Sequence, residues 1–385
     1  MSAVAISLNP DLKRLRDEGY ELEVRDGYAI VRNVPYLDSS RTIQRGTLVS
    51  PIRMIGDRVK YDGNHTIYFQ GAKPYHKSGV LMEALYHSSC RKTLAGVNVE
   101  MMFSNKPANG YGDYYEKFAR YIELLSAEAK AIDPTVTAAT FKQVVSCDDS
   151  IFHYADTNAS RAAISDVSDK FRNYKIGIIG LGGTGSYILD QVAKTPVAEI
   201  HLYDGDVFCQ HNAFRAPGAP AKKLFEQQPH KTDYFKEIYG NMHRHVHSHP
   251  YNLGEQNVEE LGSLDFVFIA MDSGESKRVI VDFLRDQGIS FIDTGIDISR
   301  VEDSLSGMAR VTLSVKGNTQ TADQHISYNE ADKDLYQSNV QTSDLNAICA
   351  LSAVILWKKH LRFYKDDVQK ENCLYSTGDG EFVWC

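Results

Sequence analysis

At 385 residues, with 43% hydrophobic and 24% charged side chains, the chain has the make-up of a folded globular protein, not a fibrous or disordered one. The formal net charge of −8 argues against a generally basic surface, so nucleic acid is not an expected partner. No basic start followed by an apolar stretch and no run of ~18 apolar residues occurs, so no membrane partner is expected and the cytoplasm is the expected compartment.

The length suits two domains, and a change of pattern near residue 150 separates an N-terminal domain over 1–148 from a second over 149–385. In the first, Tyr28–Val34 and His65–Phe69 alternate at strand period, and Asp113–Leu125 carries helical spacing, which together predict a small α+β domain. The aromatic and glycine-rich stretch from Met101 to Tyr115 suits either a functional loop or a tightly packed turn. A polar segment from Cys147 to Arg161 reads as the join.

Beyond it, strands and helices alternate. Lys175–Gly180, Glu199–Asp204, Leu264–Ala270 and Ser290–Thr294 are short apolar runs, whereas Ser186–Lys194 and Ser276–Gln287 have helical spacing. This order predicts an α/β fold, a Rossmann-like mostly parallel sheet with helices on both faces, preceded by the smaller α+β domain.

Gly180, Gly182, Gly183 and Gly185 fall between the first apolar run and its helix, and fit G-x-G-x-x-G in the context where that spacing carries meaning. Glycine permits the tight turn and close backbone approach, and free amides at a helix start attract phosphate oxygens. Asp204 ends the next strand, where an acidic side chain can accept bonds from ribose hydroxyls. A nucleotide site is therefore expected, and a nicotinamide dehydrogenase fits these residues equally well.

The following segment discriminates. Leu202–Arg215, with Asp204, Asp206, Asn212 and Arg215 in register, resembles the D-x-D-x-x-x-x-x-N-x-x-R segment of the ThiF/MoeB/ubiquitin-activating superfamily. The resemblance implies ATP binding and adenylation of a carboxylate. It implies that Asp204 holds the ribose, that Asn212 and Arg215 reach the phosphates, and that Asp206 holds Asn212 or Arg215 in place or serves the strand end. His230–Ile238 resembles the helix that supplies the family's phosphate-binding lysine, here Lys231, with Lys222 and Lys223 as rivals in the preceding loop. Phe268–Arg278 resembles the strand-end element whose acidic residue, here Asp272, binds Mg2+ and is required for adenylation; Ser273 stands where the family has asparagine. Asn158–Ile164 resembles the segment whose arginine, here Arg161, reaches the partner subunit's ATP, which implies a homodimer.

Superfamily substrates imply a ubiquitin-like or sulfur-carrier protein with a C-terminal Gly-Gly as partner, and a conjugating enzyme as a second candidate partner, as in bacterial conjugation or antiviral-defence operons. Two alternatives remain open: adenylation of a peptide or small carboxylate without a thioester, and a non-catalytic nucleotide-binding scaffold. The N-terminal domain resembles an uncharacterised module fused to ThiF-like domains in some bacterial proteins; Cys90 is its candidate thiol should it be a degenerate conjugating fold. The six cysteines include no C-x-x-C pair, so the structural zinc of many relatives is not expected and free thiols are. The crossover loop that carries the relatives' thioester cysteine, here Val311–Thr342, contains none. Cys349 lies in an apolar helical stretch and reads as structural, Cys209 lies in the nucleotide segment, and Cys373 and Cys385 are the thioester candidates.

His243, His245, His247 and His249 alternate at period two, which on a strand sets all four on one face. Imidazole is a common metal ligand, and a partly covered sheet face is the simpler reading. His325 in the crossover loop is a candidate mobile contact.

Overall fold

The computed structural model describes residues 2–55, 58–142, 151–154, 156, 158–159, 162, 164–272, 274–318, 320–328 and 340–385. They divide into two compact units, Met1–Asp169 and Lys170–Cys385.

The first unit begins with two short helices, α1 (Ser2–Leu8) and α2 (Pro10–Asp17). Its strands are β1 (Glu21–Arg25), β2 (Tyr28–Leu37), β3 (Ile43–Pro51), the ribbon β4 (Arg53–Ile55) and β5 (Arg58–Lys60), β6 (Thr66–Gln70), β7 (Tyr86–Leu94) and β8 (Val97–Ser104). Six of these form one antiparallel sheet in the order β1-β2-β3-β6-β8-β7. The helix α3 (Tyr114–Lys130) starts at Asp113, whose carboxylate accepts the Glu116 amide at 2.8 Å, a normal N-cap. Its apolar side buries Phe118, Tyr121, Ile122 and Leu125. These pack with Leu48, Phe69 and Phe103 of the sheet.

Lys117 lies on that buried side. It is fully enclosed, and its ammonium donates to Ser50 Oγ at 2.8 Å. Burial pushes it down to about 7, against a weaker opposing pull from Asp62. The unfolded chain therefore binds more protons than the folded one above pH 7, so stability rises with pH, by at most ~1.4 kcal/mol per pH unit. Denaturant unfolding of the N-terminal unit at pH 7 and pH 9 is expected to show that rise, and Lys117→Met to remove it. An equal rise in the variant would contradict the assignment.

In the second unit, β9 (Lys175–Ile179), β10 (Glu199–Tyr203), β11 (Val246–His249), β12 (Phe266–Ile269), β13 (Ser290–Val301), β14 (Ser304–Ser314), β15 (Asn372–Ser376) and β16 (Phe382–Trp384) form one sheet. Its order is β11-β10-β9-β12-β13-β14-β15-β16. The pairings from β11 to β13 are parallel and those from β13 to β16 antiparallel. The main helices are α4 (Gly183–Val192), α5 (Gln210–Ala213), α6 (Lys231–Gly240), α7 (Glu275–Gln287) and α8 (Ser343–His360).

Strand alternation splits the core between two faces. Ile176, Ile178, Ile200, Leu202, Phe266 and Phe268 pack with Ile188 and Leu189 of α4 and with Ala353 and Trp357 of α8. Ile179, Val267 and Ile269 face the other way, against Ile280, Val281 and Leu284 of α7. The Rossmann-like arrangement expected from the sequence is present, and the parallel strands continue into an antiparallel half. The expected crossover loop differs at its start: residues 311–314 complete β14, and Gln320–His325 is helical.

Candidate active site

β9, β10 and β12 are parallel, and the segments that follow them, carrying the glycines, Asp204 and Asp272, leave at the same end of the sheet. Adjacent strand ends of this kind form the usual crevice for a nucleotide. Gly180 has φ +85°, and a Cβ there would lie 2.4 Å from the Ala270 carbonyl oxygen; at Gly185 it would lie 1.8 Å from the Gly180 carbonyl oxygen. Both glycines are required by backbone approach. Among the described residues nothing lies within 4 Å of the corresponding point on Gly182, the residue that caps α4. Gly183 abuts the side chain of Asn346 on α8, which also accepts a hydrogen bond from Thr184 at 2.9 Å.

Asp204 is buried and anchors this loop: Oδ2 accepts the Leu181 amide at 2.7 Å and Oδ1 the Asp206 amide at 2.9 Å. Lys231 opens α6 and is also buried; its ammonium donates to Asp206 at 2.7 Å and to Asp204 at 3.3 Å. The pairing expected between Asp206 and Asn212 or Arg215 is thus not the one formed: the direct partner of Asp206 is Lys231, while its charge is still felt by Arg215.

Asn212 is buried in α5, and its side-chain oxygen accepts the Cys209 amide at 2.8 Å. That bond orients the amide and leaves its nitrogen, Nδ2, enclosed with no acceptor among the described residues. Nε of the nearby Arg215 is enclosed and unpaired in the same way. Burial pushes the Arg215 guanidinium down from its ordinary value, opposed by the carboxylates of Asp272 and Asp206. His211 is pushed down by burial and then by the charges of Arg215 and Lys231. Two enclosed donors without acceptors among the described residues carry a desolvation cost that an anionic acceptor relieves. Asp272 is exposed beyond β12, a carboxylate near Arg215 that suits a hydrated divalent cation bound chiefly through phosphates.

The structure therefore brings Gly180, Gly182, Gly183, Gly185, Asp204, Asp206, Asn212, Arg215, Lys231 and Asp272 to one end of the sheet. Lys222 and Lys223 are exposed. Arg161, Ser273 and Cys147 lie outside the described residues. Cys349 is fully buried, and burial pushes its thiol up to about 12; Cys373 lies buried on β15 and is pushed up to about 11 for the same reason. Cys385 is exposed. Among the described residues no helix is long and apolar enough to cross a membrane.

One charged group escaped sequence reasoning. Asp293 of β13 is fully buried, 2.6 Å from the buried Lys277 ammonium of α7 and in contact with the Arg310 guanidinium of β14. The signal was available in a lone aspartate inside the apolar run Ser290–Thr294; its two cationic partners come from segments distant in sequence.

Comparison with known proteins places these observations in a family. A family model described as "ThiF family" matches residues 154–375, more than half the chain. Another, described as "Domain of unknown function (DUF6791)", matches residues 10–157. The sequence is 26% identical over 175 residues to ubiquitin-like modifier-activating enzyme 5 of Oryza sativa subsp. japonica, covering 41% of this chain and 39% of that protein, so the chain spans about two fifths of this relative's length. Among solved structures, E. coli MccB with ATP gives a TM-score of 0.47 at 16% identity, covering 60% of this chain and 71% of that one. E. coli MccB with succinimide gives 0.44 at 18%, covering 57% and 65%. PaaA gives 0.48 at 16%, covering 77% and 94%. With a family model spanning most of the second unit and its glycine loop, this chain belongs to the ThiF family.

Proposed function

We propose that this protein uses ATP to adenylate a carboxylate, and that the carboxylate is the C-terminal Gly-Gly tail of a ubiquitin-like or sulfur-carrier protein. The observation that carries the reading is the pair of enclosed donors, Asn212 Nδ2 and Arg215 Nε, that have no acceptor among the described residues, in a site whose glycine loop is open toward the described residues at Gly182.

In the reaction a carboxylate oxygen forms a bond to the α-phosphorus of ATP, the bond from that phosphorus to the bridging oxygen breaks, and pyrophosphate leaves. The nucleophile is already an anion, so no general base is assigned. The obstacle is accumulated negative charge. Arg215 presents a planar guanidinium suited to two phosphate oxygens, and the amides at the start of α4 add fixed dipoles. Lys231 joins them by exchanging its carboxylate partners for phosphate. Asp272 is the residue to hold Mg2+, which supplies further neutralisation when it is bound with the nucleotide. Arg161 contributes from the second subunit of a homodimer, and the protein works in the cytoplasm.

Of the two thioester candidates in the C-terminal segment, Cys385 is the exposed one, while burial pushes the Cys373 thiol up. A conjugating enzyme is the partner that would accept such a thioester.

The test is exchange of labelled pyrophosphate into ATP. A carrier protein ending in Gly-Gly is expected to support exchange; activity with short peptides alone would move the substrate to that class, and none with either would reject catalysis. Asp272→Asn is expected to abolish exchange while leaving the unfolding midpoint unchanged, since its side chain is exposed. Full exchange in that variant would remove Asp272 from the site.

A further inference from the structure

We propose that Glu199, His201 and His247 form a binding site for one Zn2+ ion at the β10–β11 edge of the sheet. Register sets His201 directly opposite His247, and Glu199 lies two residues before His201 on the same face. One ligand atom from each of the three falls within 4.8 Å of the others. A tetrahedral zinc ion with bonds of ~2.1 Å separates its ligands by about 3.4 Å, so side-chain rotation closes the set without moving the strands. Two imidazoles and one carboxylate are a donor set for zinc, with a fourth position left for water.

Of the four alternating histidines, His247 is a ligand here and His249 is a hydrogen-bond partner of His201. His243 is buried outside β11 and bonds the Val197 carbonyl oxygen, and His245 precedes the strand. The missing partner, His201, comes from β10, and its ring stacks on that of His247 with centroids 4.7 Å apart.

The surrounding hydrogen bonds supply the second observation. Tyr251 donates its proton to Glu260 at 2.6 Å, so at 3.0 Å the His249 Nδ1–H donates to the tyrosine oxygen. His249 Nε2 is then an acceptor and takes the His201 Nδ1–H at 3.0 Å. His201 Nε2 then faces Glu199 Oε2 at 2.9 Å, and the place between them suits a cation: a proton on the ring, which makes the pair a salt bridge, or a metal ion. Lys175 holds the other oxygen, Oε1, at 2.9 Å and so fixes which oxygen is presented. The chain from His201 through His249 and Tyr251 to Glu260 is the outer-shell arrangement that orients metal-bound histidines.

The full-length protein, stripped of metal by chelator and dialysed, is to be titrated with Zn2+ in a calorimeter and with Co2+ in an absorption cell. The expected result is one equivalent bound, a tetrahedral Co2+ spectrum displaced by Zn2+, and a rise in unfolding temperature with Zn2+. His201→Ala and His247→Asn are expected to weaken binding at least about 10-fold. Glu199→Gln keeps the side chain's shape and serves if a histidine variant fails to fold; it is expected to weaken binding comparably. The absence of stoichiometric uptake, or equal affinity in the wild type and Glu199→Gln, would overturn the proposal and leave a proton shared by His201 and Glu199 as the cation.

Discussion

Arg215→Ala is expected to lower ATP–pyrophosphate exchange roughly 10²–10³-fold, the usual effect of losing one preorganised group that stabilises charge in the transition state. The guanidinium is partly enclosed, its Nε lacks an acceptor among the described residues, and the carboxylates of Asp272 and Asp206 oppose the effect of its burial. Arg215→Lys should recover only part of the loss, because an ammonium is a point charge and cannot make the planar two-bond contact with phosphate. The unfolding midpoint should change little, since removing an enclosed donor without an acceptor forfeits no hydrogen bond at that atom. Steady-state exchange at saturating ATP, measured beside thermal unfolding, separates the two effects. Wild-type exchange in the alanine variant would show that Arg215 serves the fold alone.

The largest stability effect is expected at Asp293. Its carboxylate is fully buried between the Lys277 ammonium and the Arg310 guanidinium. Asp293→Ala strands two cations in a low-dielectric interior and should cost ~3–5 kcal/mol. For a unit of this size that lowers the unfolding midpoint by on the order of 10 °C. Removing the charges together should be far milder: Asp293→Leu combined with Lys277→Met and Arg310→Met should recover most of the loss, because the expense lies in leaving a charge alone. A triple variant no more stable than Asp293→Ala would show that the carboxylate is needed for shape or function beyond charge balance. A single variant with an unchanged midpoint would show the cluster to be energetically neutral.

Much of the site was legible in the chain because its signals are local. The glycines of the loop and the spacing from Asp204 to Arg215 depend on residues close in sequence, and backbone clearance at Gly180 and Gly185 explains why no other residue suffices there. The strands of the parallel half were legible because β9 and β12 are covered on both faces and so read as unbroken apolar runs. The antiparallel half was less so: β14 begins in a polar stretch, Ser304–Gly307, and gains its place by pairing with β13, a contact that periodicity does not announce. Cys373 illustrates the same limit. The sequence offers it as a thioester candidate, and pairing of β15 with β14 buries it.

By itself the sequence determined the strands and helices of the parallel half and the glycine turn, since each follows from periodicity and steric demands within a few residues, while Asn212, Arg215, Lys231 and Asp272 were offered by a family resemblance. Only the tertiary structure decided which charges meet. Lys231 with Asp206, Asp293 between Lys277 and Arg310, and His201 opposite His247 all join residues from different elements. Electrostatic and ligand geometry depend on distance in space, and distance along the chain does not encode it.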